Sequence, residues 1–469
     1  IGYRPTDQTE LSVSLTYVKD RLHQAGSLPL SQVAISPRLN FTPGDFVDNE
    51  TSVLRFTGRH TFALGFALNV NGFYRRLGQE QYTVGQSSVA DNLAQTESKG
   101  GTLQVTHDAS FGSSKNALVI GSELTRNDFN NSAVAAFTGF GSFPSARSSN
   151  EDIVAFYAQD TFTVIPSLAI TVGARYDHDQ LGFTDKLTSA NNGSRRFNRT
   201  TTRAGLSYAV SPSLTTYFNY GEGFRVPTFD ELFAQGGFGS NPNLNAVRSR
   251  TYEIGAKIGR GSSIEGSLAA FQTDVRDEIF FTCRVCDFTD GQNRNIDKTR
   301  RRGIEATVKA RYGKLFDAVL NYTFTEAHFR SQVNFTAPTA RLVQIGDSLP
   351  QVPKNRLSVT ANVHPADGWT LSLIGLYVST QFHLNDEDNA QPRLPGYFQL
   401  NARVNYERPV PGGRLSGFLM LNNLLNENYA TSGIIASNVM TGGGATERFI
   451  VPVPGLAAFG GLSYKFESF

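Results

Sequence analysis

Along most of this chain apolar and polar residues alternate one for one, in runs of about eight to fourteen residues broken by Gly- and Asn-rich stretches. Near the start Leu11, Val13, Leu15 and Tyr17 interleave with Ser12, Ser14 and Thr16. In the middle Leu168, Ile170, Val172, Ala174 and Tyr176 do the same, then Leu357, Val359, Ala361 and Val363, and at the end Leu462, Tyr464 and Phe466. A period of two sends successive side chains to opposite faces, so each run has one apolar and one polar face. No helical period separates the runs. Many long two-faced strands predict an all-β fold, a transmembrane antiparallel β-barrel that is apolar outside and wet inside.

The breaks between runs come in two kinds. Short turns are expected at 59–60, 165–167, 210–213, 259–263, 364–368 and 409–413. Long loops, rich in turn-forming Gly, Asn, Ser and Asp, are expected around 20–49, 78–97, 128–150, 179–197, 222–248, 276–298, 329–352, 381–394 and 427–453. Short turns at one end and long loops at the other are the habit of membrane barrels, and about 18 strands fit between them. One domain spanning 1–469 accommodates the pattern.

Composition narrows this further. The chain has 469 residues, 39% of them hydrophobic, and contains no apolar run of the roughly 18 residues a spanning helix requires. Tyr74, Tyr157, Tyr176, Tyr220, Phe324 and Tyr377 fall at strand ends, where an interfacial aromatic girdle would place them. A net charge of +2 is too small to argue for nucleic acid. The chain opens on Ile1-Gly2-Tyr3 rather than a charged region and an apolar core, so it is expected to be a processed chain or a fragment. No Ser-His-Asp set, G-x-S-x-G elbow or phosphate-binding glycine loop occurs, and the histidines are scattered. The chain is therefore expected not to be an enzyme, and neither a resident cofactor nor a metal site is expected.

Three ordered segments carry a more specific resemblance. Phe156-Tyr157-Ala158-Gln159-Asp160 leads into Gly173-Ala174-Arg175-Tyr176-Asp177; Gly223-Phe224-Arg225-Val226-Pro227-Thr228 runs on to Glu231-Leu232, with Asn241-Pro242-Asn243-Leu244 after it. Asn422-Asn423-Leu424-Leu425-Asn426-Glu427-Asn428-Tyr429 stands just before the last long loop, and the final strand ends in an alternating aromatic signal at Phe466. Together these resemble the TonB-dependent receptors of Gram-negative outer membranes. A narrower likeness, through Phe271-Gln272-Thr273-Asp274 and Thr299 to Glu305, is to the pyrroloquinoline quinone and ferric citrate-type receptors. The resemblance implies a barrel of about 22 strands around an N-terminal plug. The plug, about four strands and the TonB box are absent from this chain, so the barrel domain is expected to be incomplete on its N-terminal side.

The resemblance also implies a role: active import across the outer membrane of a scarce ligand, a ferric siderophore or a cofactor such as pyrroloquinoline quinone. The TonB–ExbB–ExbD complex would supply the energy, and outer-membrane lipid and lipopolysaccharide would surround the barrel. The alternatives are a passive porin and a soluble surface β protein such as an adhesin. Ligand contacts are expected from Arg225 near the outer mouth and from Tyr429 and Arg448, which flank the last long loop. Gln381, His383, Asp386 and Asp388 form another loop cluster. Arg300, Arg301 and Arg302 are expected in lumen-wall salt bridges, with Glu305 close by. Cys283 and Cys286 are open to three readings, a redox pair, half a zinc site or a disulfide. With no further ligand nearby and an oxidising exterior, a local disulfide is expected.

Overall fold

Nineteen strands form one sheet in which each strand lies antiparallel to the next one in the chain. This is a computed structural model, and it describes every residue except 37, 41, 85–87, 138–140, 234–239, 260, 283–291, 336–340, 439–444 and 467–469. The sheet begins with Gly2–Thr6 and ends with Ala457–Phe466; among the described residues no ladder joins these two. The all-β barrel wall is as expected, with Gly2–Thr6 adding a strand to the anticipated count.

At one end the strands are joined by tight hairpins, such as Gly112-Ser113 and Pro411-Gly412, whose glycines take positive φ of 64° and 79°. The turn expected at 59–60 falls a few residues later: His60 still pairs with Thr9, and the chain reverses at Ala63–Gly65, where Leu64 and Gly65 have φ of 61° and 81°. At the other end several expected long loops are strand instead. Phe66–Val84, Ser88–Phe111, Ser114–Phe137 and Gly141–Ile165 run for 19, 24, 24 and 25 residues and absorb most of 78–97 and of 128–150. Leu168–Asp185 with Gly193–Ser211, and Ile264–Thr282 with Gln292–Tyr312, likewise shorten the loops around 179–197 and 276–298. Polar composition marks solvent, but the ladder still satisfies each backbone group, so strands continue beyond the membrane. A strand of 24 residues reaches ~80 Å at about 3.3 Å per residue, against the roughly 9–11 residues a bilayer crossing needs.

The two faces separate as the alternation requires. Ile254, Leu268, Ile304 and Val308 share one face and are well exposed, Ile254 at 63%, which is the lipid side. The opposite face is polar: Tyr157 donates to Gln104 at 3.0 Å, Arg175 to Glu123 at 3.0 Å, and Lys257 lies 5.6 Å over the Tyr217 ring. Tyr157 therefore faces the lumen and does not belong to the girdle, because it alternates with the lipid-facing Phe156. Tyr176, Tyr377 and the pair Tyr220–Tyr252, 5.2 Å apart, mark the outer band. Trp369, 4.7 Å from Tyr406, and Tyr464 with Phe466 mark the other. No described helix is long and apolar enough to cross a membrane.

The long connections fold back against the polar face. Leu232, Phe233 and Leu244, from the connection after Leu214–Arg225, pack on Leu181 and Phe183 of the wall. Val343 and Leu349 pack on Ile296, Ala327 and Phe329. These small cores fix the loop positions at the outer mouth.

Candidate ligand site at the outer mouth

The segment that follows the strand Gly413–Asn422 is a turn built from asparagines. Asn423 and Asn426 take φ of 52° and 53°, a region asparagine tolerates better than most residues. The Asn423 side chain donates to the Glu427 carbonyl at 2.9 Å and accepts from the Glu427 N–H at 3.0 Å. Asn426 accepts from the Leu456 N–H at 2.9 Å, which closes the base of the last loop. The turn delivers Tyr429 onto Tyr397, the rings stacked 4.3 Å apart.

Two further segments complete the wall. Ala445–Pro452 pairs with Ala430–Asn438 on one side and with Leu28-Pro29 on the other, which carries Arg448 toward the helix Leu30–Val33. The 379–396 connection is pinned by reciprocal bonds between Gln381 and Leu394, 3.2 and 2.8 Å, and by the Leu384 N–H on the Gly433 carbonyl at 2.9 Å. Where the segments meet lies a cavity of about 250 Å³, lined by Tyr429, Arg448, Arg393, His383, Val33 and Ile450 among others.

The electrostatics of this cavity favour an anion. Arg393 and Arg448 have no carboxylate partner among the described residues; Arg393 lies 4.5 Å over the Phe382 ring. His383 is 2% exposed, and its Nδ1 has no hydrogen-bond partner among the described residues. Burial first and the Arg448 charge second push the imidazole pKa down, against a hydrogen bond to the Pro392 backbone, so the ring is neutral near pH 7. Burial raises the Tyr429 pKa and keeps its phenol protonated. The cavity thus offers two guanidinium groups and a phenol, a set suited to a carboxylate- or phenolate-bearing guest, while the neutral ring presents only a lone pair at Nδ1. Gly433 is required at its back: a Cβ there would stand 2.5 Å from His383 Cδ2.

Tyr429 and Arg448 are thus brought together, and His383 from the anticipated loop cluster joins them. Asp386, 1% exposed, lies three residues on, with its carboxyl raised to about 6, chiefly by burial. Arg393 went unread in the sequence; its only signal was a cation beside Pro395-Gly396. Arg225 does not line the cavity. Its guanidinium forks onto Glu231 at 2.8 and 3.1 Å, while Glu231 accepts from the Thr228 N–H at 2.8 Å and closes a capping box on Phe229–Leu232. Arg300 and Arg302 differ from expectation: they share the lipid-side register with Ile304 and pair with Asp274 and Glu326. Arg301, on the opposite face, pairs with Glu278, not Glu305. Cys283 and Cys286 lie outside the described residues.

A family model described as "TonB dependent receptor-like, beta-barrel" matches residues 2–424. The chain belongs to the TonB-dependent receptors. It is 24% identical over 304 residues to an uncharacterized TonB-dependent receptor of Haemophilus influenzae, covering 63% of this chain and 81% of that protein. Against the ferrichrome outer membrane transporter/phage receptor of Escherichia coli it is 25% identical over 278 residues, 56% of this chain and 33% of that one. The unliganded ferric citrate transporter FecA superposes with a TM-score of 0.78 over 98% of this chain and 68% of its own, at 16% identity, a likeness of fold. The protein is an outer-membrane TonB-dependent receptor barrel, from a family of transporters and receptors rather than enzymes.

Proposed function

We propose that this receptor imports a scarce anionic ligand, a ferric chelate with carboxylate or phenolate donors or a polycarboxylate cofactor such as pyrroloquinoline quinone. TonB–ExbB–ExbD supplies the energy, and no bond is made or broken. The observation that carries this reading is that Arg393 and Arg448 line one recess with no carboxylate partner among the described residues. Two cations in one recess without a carboxylate partner among the described residues leave a positive excess that an anion neutralises. The stacked Tyr397–Tyr429 pair provides a flat apolar edge. The ferrichrome and ferric citrate transporters among its similar proteins agree with an iron chelate as cargo. Arg225 shapes the loop that follows it through Glu231.

The test is uptake of radiolabelled iron presented as citrate, catecholate and hydroxamate chelates, with and without an uncoupler. Saturable, energy-dependent uptake of the anionic chelates is expected, falling at least ~10-fold for Arg448→Ala because a charge-assisted bond contributes about 1.5–3 kcal/mol. Flux that neither saturates nor responds to the uncoupler would instead establish a passive porin.

A further inference from the structure

One strand links the mouth to the opposite end of the lumen. Along Tyr397–Val410, Phe398 is 45% exposed on the lipid side, so Tyr397, Gln399, Asn401, Arg403 and Asn405 take the inward face. This row starts with Tyr397, which stacks on Tyr429 of the mouth cavity. Asn401 accepts from the Asn423 N–H at 2.8 Å, so the asparagine turn under the last loop rests on the same row. Arg403 comes six residues after Tyr397, ~20 Å farther along at about 3.3 Å per residue.

Arg403 stands in a second recess, of about 920 Å³, which the turn His364 to Gly368 helps to line. Its guanidinium lies 4.5 Å over the Phe418 ring, and its Nε donates to Asn405 Oδ1 at 2.8 Å. Among the described residues its two terminal nitrogens have neither a hydrogen-bond partner nor a carboxylate. The carboxylates about it are engaged: Glu407 pairs with Arg414, and Asp317 with His364 at 2.7 Å. Asp367 and Lys314, both exposed on turns, offset one another and leave Arg403 as the surplus charge. Elsewhere on the inner wall the signs are mixed. Glu253 stands with Arg203 and Lys257 in one recess, and Arg175 is shared by Glu123 and Asp177 at 3.0 and 2.8 Å. The free guanidinium is therefore a local feature of the row below the mouth.

We propose that Arg403 is an inner station for carboxylate-bearing cargo, which leaves the mouth cavity along the Tyr397–Asn405 row and is held once more before release. The proposal rests on the reading of the cargo as an anion. Transit requires sites that bind firmly enough to capture and weakly enough to let go. Gln399 and Asn401, between the two stations, offer uncharged amide donors that solvate an anion without trapping it. One guanidinium at Arg403, against two at the mouth, makes the inner site the weaker of the pair. Phe418 holds that guanidinium flat, which keeps its outer N–H edge presented for a bidentate carboxylate.

Two measurements on the full-length receptor test the station. In energised cells Arg403→Gln should lower the maximal uptake rate of ferric citrate ~5-fold, while its Kd by calorimetry stays within about twofold. Uptake of a neutral hydroxamate chelate should not change, and Arg403→Lys should restore most of the citrate rate. A Kd that weakens in step with the rate assigns Arg403 to the mouth site. Equal slowing of both chelates assigns it to wall packing, and an unchanged citrate rate removes it; each of these overturns the station. The second measurement needs no cargo. In the purified receptor, an anionic methanethiosulfonate should modify Asn405→Cys faster than a neutral one, and adding Arg403→Gln should cut that ratio ~5-fold, read by peptide mass. A ratio that Arg403→Gln leaves unchanged, or a thiol that neither reagent reaches, overturns the station. A ratio that falls while no anionic chelate is imported keeps the inner anion site and overturns the cargo reading alone.

Discussion

Replacing Asp386 by Asn tests the electrostatics of the mouth without any ligand. The Asp386 carboxyl is 1% exposed, accepts from the Gln391 N–H at 3.1 Å, and leaves Oδ2 without a partner among the described residues. Burial is the largest cause of its rise from 3.8 to about 6, with Asp388 and Glu387 adding to it. That rise means the closed loop holds the carboxylate at a cost of up to about 3 kcal/mol relative to the acid. The contribution of a raised carboxyl is fully present below pH 3.8 and is lost as pH climbs through about 6. His383 acts with opposite sign: its pKa is lowered from 6.5, so its contribution is present above 6.5 and lost as pH falls. The difference between variant and native protein isolates the Asp386 term. The assay is native-state hydrogen exchange at the Leu384 and Leu394 amides, both bonded within this loop cluster. Near pH 4 the two proteins should open alike; by pH 7.5 the Asn form should open up to ~100-fold less often. A variant-minus-native difference that stays flat from pH 4 to 8 refutes the buried-carboxylate reasoning.

Other outcomes follow from the same geometry. Gly433→Ala drives a methyl into His383 and should weaken loop protection by about 1–3 kcal/mol with barrel heat resistance unchanged, read by exchange and gel mobility. Arg393→Met should reduce affinity for anionic chelates ~10-fold yet leave a neutral chelate unaffected, measured by calorimetry on the purified receptor. Arg225→Ala breaks an ion pair that is half exposed, so stability should drop by no more than about 1 kcal/mol, and a larger loss in melting experiments contradicts the structural role given to it. Alkylation mass spectrometry of denatured protein should label Cys283 and Cys286 only after reduction; labelling before it ends the disulfide assignment.

The one-for-one alternation of Leu168 through Tyr176, repeated along the chain, was enough to determine strands, their two faces and a membrane barrel, because a period of two is a local property of the backbone. Asn422 to Tyr429 and Gly223 to Leu232 were legible only as family-like segments; that they form an asparagine turn and a capping box is what the structure adds. The lengths of the strands were not. Asn- and Ser-rich stretches such as Asn127–Asn131 look like loops, and only the neighbouring strand, which accepts their backbone groups, makes them ladder. The mouth cavity also belongs to tertiary structure. Val33, the pair His383 and Arg393, and the pair Tyr429 and Arg448 come from three separate connections, and their convergence depends on Leu28-Pro29 pairing with Phe449 and Ile450 across more than 400 positions. The lipid-side place of Arg300 and Arg302 depends in the same way on register. A one-residue slip would carry Arg300 and Arg302 into the lumen, and no local pattern reports which side of the wall a charge will take.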